Sequence, residues 1–157
     1  MSLSSSAQKV QDALAQLGYE YKIIEFDEST RTAEDAAARV GCEVGQIVKS
    51  LIFMGKKSGK AILILTSGAN RVDVKRVKVY AKEALRRADP DYVRARTGFA
   101  IGGIPPLGHI HPIETYIDED LLSFEEIWAA AGTPNAVFKL KSGDLPKMTN
   151  AEIIRVK

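Results

Sequence analysis

At 157 residues, with 45% hydrophobic and 27% charged side chains and a net charge of +2, the chain has the size and composition of one domain that can bury its own core. The longest apolar runs, Leu51 to Met54 and Ala61 to Leu65, are strand-sized, and a membrane-spanning helix needs roughly 20 apolar residues; the Met1 to Ser6 start lacks the basic and apolar stretches of a secretion signal. A cytosolic protein without a membrane partner is the expectation. Cys42 is the single cysteine, so no intrachain disulfide or multi-thiolate metal site can form, and His109 and His111 alone are a weak zinc signal.

Val10, Ala13, Leu14 and Leu17 have the spacing of an amphipathic helix over Ser4 to Leu17 that Gly18 closes. Tyr21 to Phe26 reads as a strand. Thr32 and Asp35 form a capping pattern ahead of an alanine-rich helix that stops at Gly41. Beyond a polar turn at Glu43 to Gln46, Ile47 to Met54 and Lys60 to Thr66 read as a hairpin joined through Gly55-Lys-Lys-Ser-Gly59. Val74 to Arg87 has helical propensity with a break near Tyr80, where the β-branched Val77 and Val79 interrupt the pattern. Asp89-Pro90 starts a helix that Gly98 stops. Phe99 to His109 carries too much glycine and proline for a regular element, yet its Phe99, Ile101, Ile104 and Leu107 suggest an anchored loop. Ile113 to Ile117 reads as a strand, Ser123-x-x-Glu126 as a capping box opening a helix to Gly132, and Ala136 to Leu140 and Ala151 to Val156 as final strands. Strands in runs without a regular βαβ repeat imply a single α+β domain over 1–157, with a mixed or antiparallel curved sheet.

Charge is segregated. Arg71 to Arg96 carries nine Lys or Arg against four acids, whereas Glu114 to Glu126 has six acids and no base. These are either two solvated faces or, for the first, a phosphate-binding surface.

Lys49 is the most informative residue. In an extended strand it shares a face with Ile47, Leu51 and Phe53, opposite Val48, Ser50 and Ile52. Such a lysine either lays its stem along the apolar surface and reaches water, or holds a cation at the edge of a pocket, ready for phosphate or carbonyl oxygen. Gly102-Gly-Ile-Pro-Pro-Leu-Gly-His109 is either a tight structural turn or a loop whose exposed backbone recognises a small group. It matches neither a phosphate loop nor a dinucleotide fingerprint. No Gly-x-Ser-x-Gly elbow makes a nucleophile of Ser50, Thr66 or Ser67, and His109 is a loop histidine with a surface or a base reading open to it.

Val48-Lys-Ser-Leu-Ile-Phe53, followed by Thr97-Gly-Phe-Ala-Ile-Gly-Gly-Ile-Pro-Pro-Leu-Gly-His109, resembles the YbaK/ProX-type editing family, whose domains also occur inserted in bacterial prolyl-tRNA synthetases. The resemblance covers nearly the whole chain, and the family's lysine and Gly-x-x-x-Pro motif fall on Lys49 and Gly102 to Pro106. It implies a curved, barrel-like mixed sheet flanked by helices. It also implies a deacylase, without metal or cofactor, that cleaves the ester between an amino acid and the terminal adenosine of mischarged tRNA. On that likeness Lys49 would hold the terminal phosphate or the ester region. Ser50 and the backbone of Gly102 and Gly103 would meet the aminoacyl group, and Pro106 would fix the loop. A ribose hydroxyl of the substrate would help activate water. The expected partner is tRNA for proline carrying a small wrong amino acid such as alanine, serine or threonine, with prolyl-tRNA synthetase as a further one. Arg71, Lys75, Arg76 and Arg87 would meet the acceptor end. Two other readings are a non-catalytic nucleic-acid-binding module using the basic 71–96 region and a small-molecule-binding protein using the loop. The first lacks the zinc-finger spacing or aromatic strand that such modules carry.

Overall fold

A computed structural model describes residues 2–30 and 32–157. Helix α1, Ser5–Gln16, is capped by the Ser4 side chain and turns Ala7, Val10 and Leu14 inward. In α2, Ala33–Val40, the Thr32 hydroxyl accepts from the Asp35 N–H and Gly41 leaves the helix in the left-handed conformation, as the capping pattern implies. Between them lies β1, only Ile24–Glu25. The expected longer strand is missing because the Gln11 side chain, donating to Tyr21 O and accepting from Ile23 N, satisfies backbone that a neighbouring strand would otherwise engage.

A short 3-10 turn at Val44–Gln46 leads into β2, Ile47–Gly55, which pairs antiparallel with β3, Ala61–Ser67. Helix α3, Val74–Ala81, ends where Lys82 takes a positive φ of 64°. The rest of the expected helical stretch becomes β4, Leu85–Arg87, because its backbone pairs with the Phe53 to Gly55 end of β2. Helix α4, Pro90–Thr97, has the Asp89 cap and the Gly98 stop read from sequence.

The largest departure follows β5, Glu114–Asp118. Ser123 ends a 3-10 turn, Glu119–Ser123, and its hydroxyl donates to Asp120 O rather than opening a helix. The expected helix is instead β6, Glu126–Ala130, with Ile127 and Ala129 buried and Glu126, Trp128 and Ala130 facing away. A burial period of two, satisfied by pairing with β2 and with β7, Ala136–Lys141, outweighs the local capping signal. Helix α5, Asp144–Thr149, lies in a segment for which the sequence suggested no element, and β8, Glu152–Ile154, closes the order.

Among the described residues the eight strands form one mixed sheet, β1-β7-β6-β2-β3-β5-β8, with β4 on β2. One face carries Phe53, Ile62 and Ile64 beneath Val77 and Ala81 of α3. The other carries Val48, Ile52, Leu63, Leu65 and Phe138 against α1, with Phe99, Ile104 and Leu107 anchoring the glycine-proline loop as expected. Each such fully buried side chain contributes roughly 1.5–3 kcal/mol. Among the described residues no helix is long and apolar enough to cross a membrane.

Candidate active site

The site lies where the sheet divides. One edge of β2 is fully occupied by β3. Along the other, β6 pairs only with Ile47 and Val48, and β4 only with Phe53 to Gly55. Between them the edge of β2 opens onto a cavity of about 300 Å3. Its walls come from the start of α2, from Ile47 to Leu51, from Ile101, Gly102 and Ile104 of the loop, and from Trp128 to Ala130 of β6.

Lys49 stands between two apolar groups, Ile47 packed on α2 and Phe53 packed under α3. It is half-buried, and its Nζ donates to Asn70 O at 2.6 Å. Burial pushes its pKa below the ordinary lysine value; the carboxylates of Glu34 and Asp118 oppose that shift, while Arg71 and Arg87 add to it. The cation is therefore partly desolvated and directed by a backbone oxygen, and among the described residues it has no side-chain counter-ion within salt-bridge distance.

Asn70 is itself pinned. Its Nδ2 donates to Asp118 Oδ2 at 2.8 Å and to Asp120 Oδ2 at 2.7 Å. Asp118 is 1% exposed and also accepts from the Ser67 and Asp120 N–H groups. The Asn70 hydrogen bond, assisted by Lys157, holds the Asp120 carboxyl below its usual range. Neither Asn70 nor Asp118 was singled out in the sequence, since the 114–126 acids read as a solvated face. The available signal was Asp118 at the end of an apolar strand.

Ser50 points away from Lys49. Its Oγ is, among the described residues, the buried side-chain polar atom without a hydrogen-bond partner. Gly102 has a φ of 92° and lines the cavity. Gly103 lies behind it, its carbonyl accepting from the Gly132 N–H, with no room for a Cβ, which would fall 2.7 Å from the Thr133 backbone. Pro106 is buried and, with His109, borders a different groove. His109 Nε2 is 2.7 Å from Pro105 O, so the ring acts as a clasp on the loop, and burial lowers its pKa. The structure thus brings Lys49, Ser50 and Gly102 to one cavity and leaves Gly103, Pro106 and His109 outside it. Arg71, Lys75, Arg76 and Arg87 are all exposed, and Arg71 and Arg87 are the pair whose charge reaches Lys49.

The family model described as aminoacyl-tRNA editing domain matches residues 27–148. The chain belongs to that family, the YbaK type, and is an aminoacyl-tRNA deacylase. Among relatives of this editing protein, the uncharacterised YwhH of Bacillus subtilis is 30% identical over 148 residues, covering 94% of each chain. EbsC of Enterococcus faecalis, described as a candidate Cys-tRNA(Pro)/Cys-tRNA(Cys) deacylase, is 28% identical and aligns over 84% of this chain and 87% of its own. A solved structure described as a candidate trans-editing enzyme for prolyl tRNA synthetase is 50% identical, with a TM-score of 0.93 over 99% of both chains. A proline–tRNA ligase of Thermosipho melanesiensis matches 57% of this chain with 17% of its own length, at 30% identity.

Proposed function

We propose that this deacylase clears tRNA for proline that carries a small wrong amino acid, alanine, serine or threonine being the class that suits the cavity. The observation that carries this reading is a half-buried cation at the rim of a cavity of about 300 Å3 whose walls include the apolar Ile101, Ile104, Trp128 and Val137, with Thr30, Thr32 and Glu34 on the α2 side. That volume is at the small end for ligand sites. It suits an aminoacyl group with its ribose and excludes a bulky side chain.

Lys49 holds the phosphate of the terminal adenosine or the ester region, and the backbone at Gly102, backed by Gly103, orients the aminoacyl group. Pro106 fixes the loop from behind. Water, activated by the vicinal ribose hydroxyl, attacks the ester carbonyl carbon. The bond from that carbon to the ribose oxygen breaks, and the water's proton ends on the ribose oxygen, releasing amino acid and tRNA. An aminoacyl ester is already activated, so orientation and charge stabilisation supply what the reaction needs. The basic surface around Arg71, Lys75, Arg76 and Arg87 receives the acceptor end, in the cytosol, with prolyl-tRNA synthetase as the source of the mischarged substrate.

The test is a panel of tRNA for proline charged with alanine, serine, threonine, cysteine and proline. Release of a small wrong amino acid with proline spared supports the reading. Equal release of all five, or of cysteine alone, overturns it.

A further inference from the structure

The divided edge of β2 has its own chemistry. In the antiparallel pairing with β3, Ile47 O accepts from Gly68 N and Gly55 N donates to Lys60 O, so the odd-numbered residues 47 to 55 face β3. Alternation then turns the N–H and C=O of Val48, Ser50, Ile52 and Met54 to the opposite edge. Val48 lies in the ladder with β6, and Ile52 O receives Ala88 N at 3.4 Å from the β4 side. Ser50 lies in neither ladder, and among the described residues no side chain donates to its carbonyl or accepts from its N–H. A strand residue is normally paired or solvated on both groups. Here both point at the cavity that Lys49, Gly102 and Trp128 line.

An aminoacyl ester has the polar layout of one strand residue, an α-ammonium donor and a carbonyl acceptor flanking one carbon. We infer that the Ser50 backbone binds the aminoacyl group as a single added residue of the sheet. Its C=O accepts from the α-ammonium and its N–H donates to the ester carbonyl oxygen, where negative charge grows as water attacks. This rests on the reading of the cavity as the aminoacyl-ester site. The gap spans only the stretch between Val48 and Phe53, so the sheet admits one residue and not a peptide. An unblocked amino group is required, because an acylated nitrogen carries no charge and brings bulk against β6.

The test replaces the Ser50 amide by an ester, introducing the α-hydroxy analogue of serine at position 50, which deletes the N–H and keeps the side chain. Ser50→Pro is the simpler companion, admissible because its N–H is in no ladder. Single-turnover deacylation should fall about 10²-fold or more, the scale for losing an oxyanion donor, while tRNA binding stays within a few-fold. N-acetylated aminoacyl-tRNA should be a correspondingly poor substrate of the wild type. If Ser50→Pro fails to fold by circular dichroism, the backbone-ester protein decides. Wild-type turnover in the folded backbone-ester protein overturns the inference alone. A wild type that releases no amino acid from any charged tRNA overturns the reading of the cavity, and the inference with it.

Discussion

Lys49 Nζ donates to the Asn70 carbonyl oxygen at 2.6 Å, and Asn70 in turn is fixed by the buried Asp118. A backbone carbonyl has no charge with which to bind the ammonium tightly, so it orients Lys49 and leaves its charge available to a substrate anion.

Asp118 should therefore matter without touching substrate. Asp118→Ala strands the Ser67 and Asp120 N–H groups and leaves the Asn70 amide held by Asp120 alone, at a cost of about 3 kcal/mol. Asp118→Asn keeps the shape and lets Asn70 shift. In the folded Asn variant the maximal deacylation rate should fall at least about tenfold while tRNA binding is nearly unchanged. An unaltered rate would separate Asp118 from the function of Lys49.

The lowered pKa of Lys49 sets a pH dependence. Because the folded protein disfavours the charged form, Lys49 gives up its proton at a lower pH than an ordinary lysine. The enzymatic rate, after subtraction of spontaneous hydrolysis, should decline with rising pH at a value below that of an ordinary lysine. Lys49→Arg should abolish this inflection. For stability the sign is opposite: the cation costs the folded state at neutral pH, and the cost is lost as pH rises from the lowered folded pKa to the ordinary lysine value. Lys49→Met should thus unfold at the same temperature as wild type or higher.

How far the sequence foretold all this depends on the range of the forces involved. The Thr32, Asp89 and Gly98 signals act within one turn and stand as read. Lys49 and Gly102 were legible because the strand and the loop carrying them are marked by local pattern, and the resemblance paired them. The Ser123-x-x-Glu126 signal failed because strand pairing of Ile127 and Ala129, more than 70 residues from β2 in sequence, overrides a cap. The Asn70–Asp118 link and the open edge at Ser50 are invisible in one dimension, since both depend on which strands become neighbours.

The two loop glycines should separate. Gly103→Ala drives a Cβ into the Thr133 backbone and should cost about 1–3 kcal/mol, read as a fall of several degrees in Tm. Gly102→Asn tolerates the positive φ better than other side chains. It should keep more of the stability while losing deacylation, because the new side chain stands at the cavity wall. The reverse ranking in Tm would contradict the packing described for Gly103.

Within the basic segment, Arg71 and Arg87 should outweigh Lys75 and Arg76, since theirs are the charges felt at Lys49. Arg71→Glu and Arg87→Glu should each weaken binding of charged tRNA and reduce the slope of log affinity against log salt by about one. Titrations in which Lys75→Glu and Arg76→Glu have the larger effect would place the acceptor end farther along α3.

The most direct measurement is single-turnover release of alanine from mischarged tRNA for proline by wild type and Lys49→Ala, with folding checked by circular dichroism. The expected result is rapid release by the wild type and a rate lower by about 10² or more in the folded variant, the scale for removing a key electrostatic group. A folded Lys49→Ala protein that releases alanine as fast as wild type would contradict the assignment of this cavity as the active site.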